Sequence, residues 1–162
     1  MSMFPITTPA PVQKTKDVTR IATFYAGVIL VMVVAQLFTF DTFTVLFNSF
    51  DFTFGPQYPA FLSALLVISE VFALPFLLRM AMSPAFRWVS MVCGWLVAAI
   101  WFKITVWLVF TDSLVSNVGF LGAVFDTMPG WWAIFISVLF GILAAWSSWG
   151  MWPRQRSAKR KK

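Results

Sequence analysis

Glu70 and Lys103 are charged residues that lie inside long apolar runs of this sequence. Glu70 lies ten residues after Ala60, where its apolar run begins, and Lys103 lies nine residues before Asp112, where its run has ended. At a rise of about 1.5 Å per residue, both lie about 14–15 Å from the same end of two antiparallel helices. Because charges buried in a membrane usually find partners, we predict a Glu70–Lys103 ion pair.

Three polar side chains are expected near that pair. Thr105 follows Lys103 closely on the same run, while Gln36 and Ser137 lie on the first and last apolar runs. We therefore predict that Glu70, Lys103, Gln36, Thr105 and Ser137 form an intramembrane polar pocket. Two alternatives stay open: the pair could serve only to fix which helices pack together, or Lys103 could extend toward the membrane surface instead of pairing.

The sequence lacks the residue sets of a self-contained enzyme. It has one cysteine, Cys93, and no histidine, so neither an internal disulfide nor a Cys/His metal site can form. The usual histidine ligand of a membrane haem is also missing. No phosphate-binding glycine loop or nucleophile elbow occurs. We predict no catalytic and no metal-binding residues, leave cofactor-binding residues unknown, and favour a non-catalytic subunit over an enzyme.

The composition places the chain in a membrane. Of its 162 residues, 60% are hydrophobic and 11% are charged, whereas about a quarter of the residues of a soluble domain are charged. The length fits one domain. The formal net charge is +6, but half of the twelve basic residues lie in the last nine positions, which is typical of a tail and not of a nucleic-acid-binding face.

The apolar runs predict an all-α membrane protein built as a four-transmembrane-helix bundle. About 20 mostly apolar residues are needed to cross a hydrocarbon core roughly 30 Å thick, and four runs meet that length. A disordered cytoplasmic N-terminus is predicted over residues 1–20, a transmembrane domain over residues 21–152 and a basic cytoplasmic tail over residues 153–162. The predicted spans are residues 21–40, 60–78, 88–110 and 131–152.

Charge placement predicts the orientation of the bundle. In a four-span topology, the basic residues outside the spans fall on one side and the aspartates of the loops fall on the other. By the positive-inside rule, both termini are cytoplasmic and the protein is a multi-pass protein of the plasma membrane. The basic residues are Lys14, Lys16, Arg20, Arg79, Arg87 and those of the tail, and the loop aspartates are Asp41, Asp51, Asp112 and Asp126.

The outer loops are rich in apolar residues. Phe43, Leu46, Phe47 and Phe50 recur at helical spacing between polar residues. This pattern predicts a short interfacial helix whose phenylalanines lie in lipid. The second outer loop, SLVSNVGFLGAVFDTMPG, is also apolar and is expected to dip into the interface or lie flat on it.

The order of these features resembles the DoxX/MauE group of four-helix bacterial membrane proteins. The resemblance covers Arg20–Trp152 and depends mainly on Glu70 within LVISEVFALPFLLRM, on the following Arg79 and on the spacing of the helices. Near the outer end of the first helix, where the family often has a lysine, this chain has Gln36. It implies a four-helix bundle that serves an oxidoreductase system, either by passing electrons to quinone or by helping a partner enzyme to mature.

Two classes of function therefore stand. In the first, the protein is a small accessory or anchor subunit of a redox-linked system, DoxX-like and quinone-associated. In the second, it is a small transporter, channel or proton-path component that uses Glu70 and Lys103. We favour the first. No cofactor is certain and quinone is the candidate; the expected partners are the lipid bilayer and either a protein partner or a second copy of the chain, with no nucleic acid.

Overall fold

The computed structural model describes residues 7–53, 55, 57–111 and 114–152, and within these residues the protein is helical, without a strand. Four of its five helices are long and apolar enough to cross a membrane, which confirms the prediction of an all-α protein with four such helices. The helices are α1 Lys16–Phe38, α2 Phe40–Asn48, α3 Tyr58–Leu77, α4 Pro84–Phe110 and α5 Trp131–Met151.

The four long helices pack as a closed bundle. α3 packs against α4, α4 against α5, and α1 against both α3 and α5. We call the end of the bundle that holds α2 and residues 114–130 the plug end, and the opposite end the basic end. The interior of the bundle is filled with apolar side chains, and it includes Tyr25, Leu66 and Trp101 with no exposed surface.

The α3–α4 turn shows how local sequence sets the helix ends. The hydroxyl oxygen of Ser83 accepts a hydrogen bond from the backbone N–H of Phe86 at 3.2 Å, and Pro84 takes the first helical position. A serine cap followed by proline is a favoured helix start, because the cap satisfies a free N–H and proline has none to satisfy. Arg79, with φ of +60°, lies just beyond the end of α3.

A serine from α4 compensates for the proline inside α3. Pro75 has no N–H to donate and disturbs the helical bonding around it. The Ser90 hydroxyl accepts a hydrogen bond from the N–H of Phe76 at 2.9 Å and donates one to the carbonyl of Phe72 at 2.6 Å. Ser90 therefore lies between a donor and an acceptor four residues apart on α3, and it ties α4 to α3 at the proline.

Replacing Ser90 with alanine is expected to lower the free energy of unfolding by about 1–3 kcal/mol, because it removes the hydrogen-bond partner of a buried backbone N–H. Ser69→Ala is the matched control: that serine is also buried, but its hydroxyl bonds only the Leu65 carbonyl on its own helix. The measurement is the midpoint of SDS-induced unfolding in mixed micelles. Equal midpoints for the two variants would contradict the role of Ser90.

The short helix α2 forms where the sequence predicts a helix, but its phenylalanines face the protein and not lipid. Phe43 and Phe47 have no exposed surface and Phe50 has 1%. The Phe47 ring lies 6.5 Å from that of Trp101 and 4.6 Å from that of Phe43. A spacing of three and four residues specifies an apolar face but not what covers it. Here α2 folds back against α1 and α3, so the bundle covers that face.

The N-terminal region also differs from the prediction. α1 begins at Lys16 and not at residue 21, and the preceding residues are hydrogen-bonded where disorder was expected. Thr8 and Met82 exchange backbone hydrogen bonds at 3.1 and 3.3 Å, and the N–H of Lys14 donates to the Gly150 carbonyl at 3.2 Å. These bonds attach the segment to the basic end. The predicted disorder of residues 1–6 and the predicted basic tail lie outside the described residues.

Candidate functional site

The candidate site is built around Glu70, which is fully buried in the middle of α3. Its Oε1 atom accepts hydrogen bonds from Gln36 Nε2 on α1 and from Trp101 Nε1 on α4, each at 3.3 Å. Gln36 and Trp101 have no exposed surface either. We call these three residues the acid cluster. It joins three helices of the bundle through one carboxyl oxygen.

The predicted Glu70–Lys103 ion pair is wrong. Lys103 is exposed, and its Nζ atom donates a hydrogen bond to the Tyr58 hydroxyl at 2.7 Å, whereas Glu70 bonds Gln36 and Trp101. Two side chains at the same depth meet only if they also point toward each other around their helices. Lys103 is two positions after Trp101, which at 3.6 residues per turn places the two side chains on nearly opposite faces of α4. Trp101 faces the interior, so Lys103 faces outward.

The Lys103 side chain points away from Glu70, in agreement with the alternative prediction that it extends toward a surface instead of pairing. Tyr58 is the first residue of α3, at the plug end of the bundle. The Lys103 Nζ atom lies 5.2 Å from the centre of the Tyr58 ring and bonds its hydroxyl. The long aliphatic stem of a lysine lets its ammonium group reach the edge of an apolar region in this way. Lys103 is therefore not part of the predicted polar pocket.

Thr105 and Ser137 form a second buried polar contact. Their hydroxyl oxygens lie 3.0 Å apart and join α4 to α5. Each hydroxyl also bonds a carbonyl of its own helix, Thr105 to that of Trp101 at 2.9 Å and Ser137 to that of Ile134 at 2.8 Å. The five predicted site residues thus divide into the Glu70–Gln36 contact, the Thr105–Ser137 contact and the outward-facing Lys103.

Residues 114–130, which we call the plug segment, cover the acid cluster at the plug end. Gln36 Nε2 also donates to the Phe120 carbonyl oxygen at 3.2 Å. The Phe120 ring lies 4.5 Å from that of Trp101 and 5.9 Å from that of Phe140. Non-helical backbone at this depth is tolerated where protein surrounds it and satisfies its polar groups. Gln36 therefore links the plug segment directly to Glu70.

Asn117 holds the plug segment in shape. Its Oδ1 atom accepts hydrogen bonds from the N–H of Gly119 at 2.8 Å and from the N–H and hydroxyl of Thr127 at 3.2 and 2.9 Å. Its Nδ2 atom donates to the Gly122 carbonyl at 3.1 Å. The side chain is 3% exposed. With these four bonds, the buried asparagine satisfies backbone groups that a helix or a sheet would satisfy in a regular segment.

Gly122→Ala is expected to displace the plug segment and to lower the free energy of unfolding by about 1–3 kcal/mol through overpacking. Gly122 has φ of +60°, and a Cβ atom there would lie 2.5 Å from Thr39 Oγ1 and 3.0 Å from the Ala35 carbonyl oxygen. Gly141→Ala is the control, because a Cβ at that glycine meets nothing within 4 Å. Hydrogen–deuterium exchange of the plug-segment amides is the measurement. Unchanged exchange in Gly122→Ala would contradict the tight approach.

Two buried oxygens of the acid cluster have no hydrogen-bond partner in the described part of the chain, Glu70 Oε2 and Gln36 Oε1. Such atoms are uncommon in native proteins, since burying an unsatisfied polar atom costs free energy. The buried hydroxyl of Tyr25 on α1 donates to the Gly94 carbonyl at 3.1 Å and therefore supplies neither oxygen with a hydrogen bond.

Comparison with known proteins finds no protein similar to this chain. No family model, curated protein or solved structure matches the chain. The chemistry of the site therefore has to be argued from its own residues. The acid cluster offers one carboxyl group, one amide and one indole N–H, a set that can hold a proton or a hydrogen-bonding group. Among the described residues no three metal-ligating side chains lie together.

A groove of about 670 Å³ opens at the plug end. Its apolar wall includes Phe50 and Trp107, whose indole N–H donates to the Phe50 carbonyl at 3.0 Å. Hydroxyl groups and the Asp51 carboxylate provide its polar part. The remaining residues that line it are Leu46, Ser49, Thr111, Leu114, Val115 and Ser116.

Sequence reasoning missed Trp101 and Phe120 as partners of the site. Trp101 lies four residues before Thr105, so the two share a helix face, and this spacing could have placed the tryptophan inside with the threonine. Phe120 lies between Gly119 and Gly122 in a loop, where no periodicity indicates which side chain turns inward. The signal that could have indicated a buried segment is the length of this loop together with its aromatic residues and few charges.

Proposed function

We propose that this chain is a small integral membrane subunit, an accessory or anchor of a redox-linked system, with both termini in the cytoplasm. The observation that carries the proposal is the closed state of the bundle interior. Glu70 has no exposed surface, and the plug segment covers it through the contact of Gln36 with Phe120. A sealed polar core suits a subunit that holds partners in place better than one that passes ions along its own axis.

The separation of charge between the two ends supports the orientation. Lys14, Arg79 and Arg87 lie at the basic end, whereas Asp41 and Asp51 lie near the two ends of α2 at the plug end. Under the positive-inside rule the basic end faces the cytoplasm of a plasma-membrane protein. In this orientation α2 lies at the outer boundary of the membrane, with its phenylalanines on the bundle and its exposed side toward the interface.

The redox assignment follows from the resemblance to DoxX/MauE proteins, in which Glu70 and Arg79 take the positions of the family's glutamate and arginine. One cysteine does not suffice for thiol–disulfide exchange within a single chain, so the redox chemistry belongs to a partner. Quinone is the ligand class that fits the groove at the plug end. Its aromatic wall at Trp107 suits a quinone ring, and the Ser116 hydroxyl can donate to a quinone carbonyl.

Purification of the tagged chain from its native membranes in mild detergent tests the accessory role. We expect an oxidoreductase subunit to co-purify in a fixed ratio and to lose membrane attachment or activity in cells that lack this chain. A chain that purifies without such a subunit, with membrane oxidoreductase activities unchanged in its absence, would contradict the proposal.

Photolabelling with a quinone analogue tests the ligand separately. We expect Ser116→Trp, which fills the groove, to reduce labelling at least tenfold, and Val138→Trp, on the exposed side of α5, to leave it unchanged. Labelling that is absent from the native protein, or equal in both variants, would exclude quinone from the groove.

The second candidate is a proton-path component. The unpartnered Glu70 Oε2 atom favours it, because a buried carboxyl with a free oxygen can take up a proton. This candidate requires water to reach Glu70 from both sides of the membrane, and it predicts proton flux that depends on Glu70.

A further inference from the structure

We propose that the acid cluster is a proton-binding site, in which Glu70 is held as the neutral carboxylic acid and the plug segment controls exchange of its proton. This inference concerns the chemical state of one side chain. It goes beyond the accessory role and does not depend on a redox partner or on quinone.

The first observation is the pair of oxygens that lack a partner. Gln36 Nε2 donates to Glu70 Oε1, which leaves Gln36 Oε1 and Glu70 Oε2 unsatisfied on the same two side chains. With an ionised carboxylate, both oxygens are acceptors that lack a donor. A proton on Oε2 turns that atom into a donor, and a neutral acid beside an amide can form reciprocal N–H···O and O–H···O bonds. A proton on Glu70 Oε2 therefore supplies the donor that these two acceptors lack.

The second observation is the set of groups around Glu70. Gln36 of α1 and Trp101 of α4 donate hydrogen bonds to it, and both side chains are neutral in their usual form. Tyr25 donates its hydroxyl to the Gly94 carbonyl and so gives no hydrogen to the carboxyl group. α5 contains no charged residue.

The cations of the neighbouring helices α1 and α4 lie away from Glu70 or bond other groups. Lys16 and Arg20 of α1 lie at least sixteen residues before Gln36, toward the basic end. Lys103 of α4 bonds Tyr58 on the outer side of that helix, and Arg87 of α4 donates to the carbonyls of Thr8 and Pro9 at the basic end. A buried carboxylate without a cation carries a desolvation cost that two neutral donors do not offset. Binding a proton removes that cost, so the neutral form fits this environment.

The plug segment controls access to the proton through Gln36. The same Nε2 atom bonds Glu70 Oε1 and the Phe120 carbonyl oxygen, and the Phe120 ring covers Trp101. Movement of the plug segment removes one partner of Gln36 and uncovers the acid cluster at the plug end. Exchange of the proton with water at that end is therefore expected to follow opening of the plug segment.

The sequence offers a direct test, because Glu70 is its only glutamate. Glutamate labelled with carbon-13 at the side-chain carboxyl reports on this site alone in the full-length native protein, reconstituted in lipid nanodiscs. We expect the infrared spectrum at neutral pH to contain the C=O stretch of a neutral carboxylic acid, shifted by the label. Only carboxylate bands from the labelled group would overturn the proposal, since an ionised Glu70 satisfied by water gives that result.

Two variants extend the test. Glu70→Gln is expected to remove the labelled band, whereas Asp41→Asn, at an exposed position on α2, is expected to keep it. Gly122→Ala is expected to speed the deuterium shift of the band at least tenfold by loosening the plug segment. An acid band with the same exchange rate in Gly122→Ala and in the native protein would overturn the controlling role of the plug segment.

Discussion

Replacing Trp101 with alanine is expected to lower the free energy of unfolding by about 3–5 kcal/mol, the range for removing a large buried aromatic side chain. Trp101 has no exposed surface, and its ring lies 4.5 Å from that of Phe120 and 6.5 Å from that of Phe47. Its indole N–H also donates to Glu70. Alanine at this position leaves a cavity between α4, α2 and the plug segment, and it removes one of the two donors to the carboxyl group.

Trp146→Ala is the matched control for that variant, because Trp146 lies on a spanning helix but is 47% exposed. The measurement is the midpoint of SDS-induced unfolding, read from far-UV circular dichroism because both changes remove a tryptophan. We expect Trp101→Ala to shift the midpoint several times further than Trp146→Ala. Equal shifts would mean that Trp101 does not fill the centre of the bundle.

Replacing Glu70 with lysine is expected to abolish the folded protein, and replacing Lys103 with glutamate as well is not expected to restore it. Glu70→Lys places a cation among Gln36, Trp101 and apolar side chains, at a cost of several kcal/mol for an unpaired buried charge. Lys103 lies on another face of α4, so a glutamate there does not reach the new lysine. Lys103→Glu alone loses the bond to the Tyr58 hydroxyl at an exposed position and is expected to fold.

Folded yield from membranes, measured by size-exclusion chromatography, decides between these expectations. The double variant Glu70→Lys with Lys103→Glu is expected to match the low yield of Glu70→Lys. Recovery of native yield in the double variant would show that the two side chains meet, which the geometry of the acid cluster contradicts. Glu70→Gln serves as the control for size, since it keeps the shape of the side chain and introduces no cation.

The sequence predicts the four long helices well because the requirement for spanning a membrane is simple. A run of about 20 apolar residues is visible without any knowledge of its neighbours. The helix at α2 is visible for a similar reason, since the spacing of Phe43 and Phe47 matches one helix face. Whether a segment forms a helix is determined mostly by the residues of that segment, so these predictions need no knowledge of its neighbours.

Contacts between segments are harder to predict. The expected ion pair used the depth of Glu70 and Lys103 but not their directions around α3 and α4, and direction decides which side chains meet. The prediction that Phe47 lies in lipid was wrong for a similar reason, because an apolar helix face has the same sequence pattern whether lipid or protein covers it. Phe120 and Asn117 were missed since a loop has no period from which to infer its buried side.

Proton flux through the reconstituted protein tests the central claim, that the bundle closes around Glu70 and serves as a subunit instead of a pathway. Purified protein is placed in liposomes that contain a pH-sensitive dye, and a pH gradient or a membrane potential is applied. Our account predicts the same flux for the native protein, for Glu70→Gln and for liposomes without protein. Flux that exceeds the protein-free level in the native protein and disappears in Glu70→Gln would contradict the sealed interior and establish a proton path.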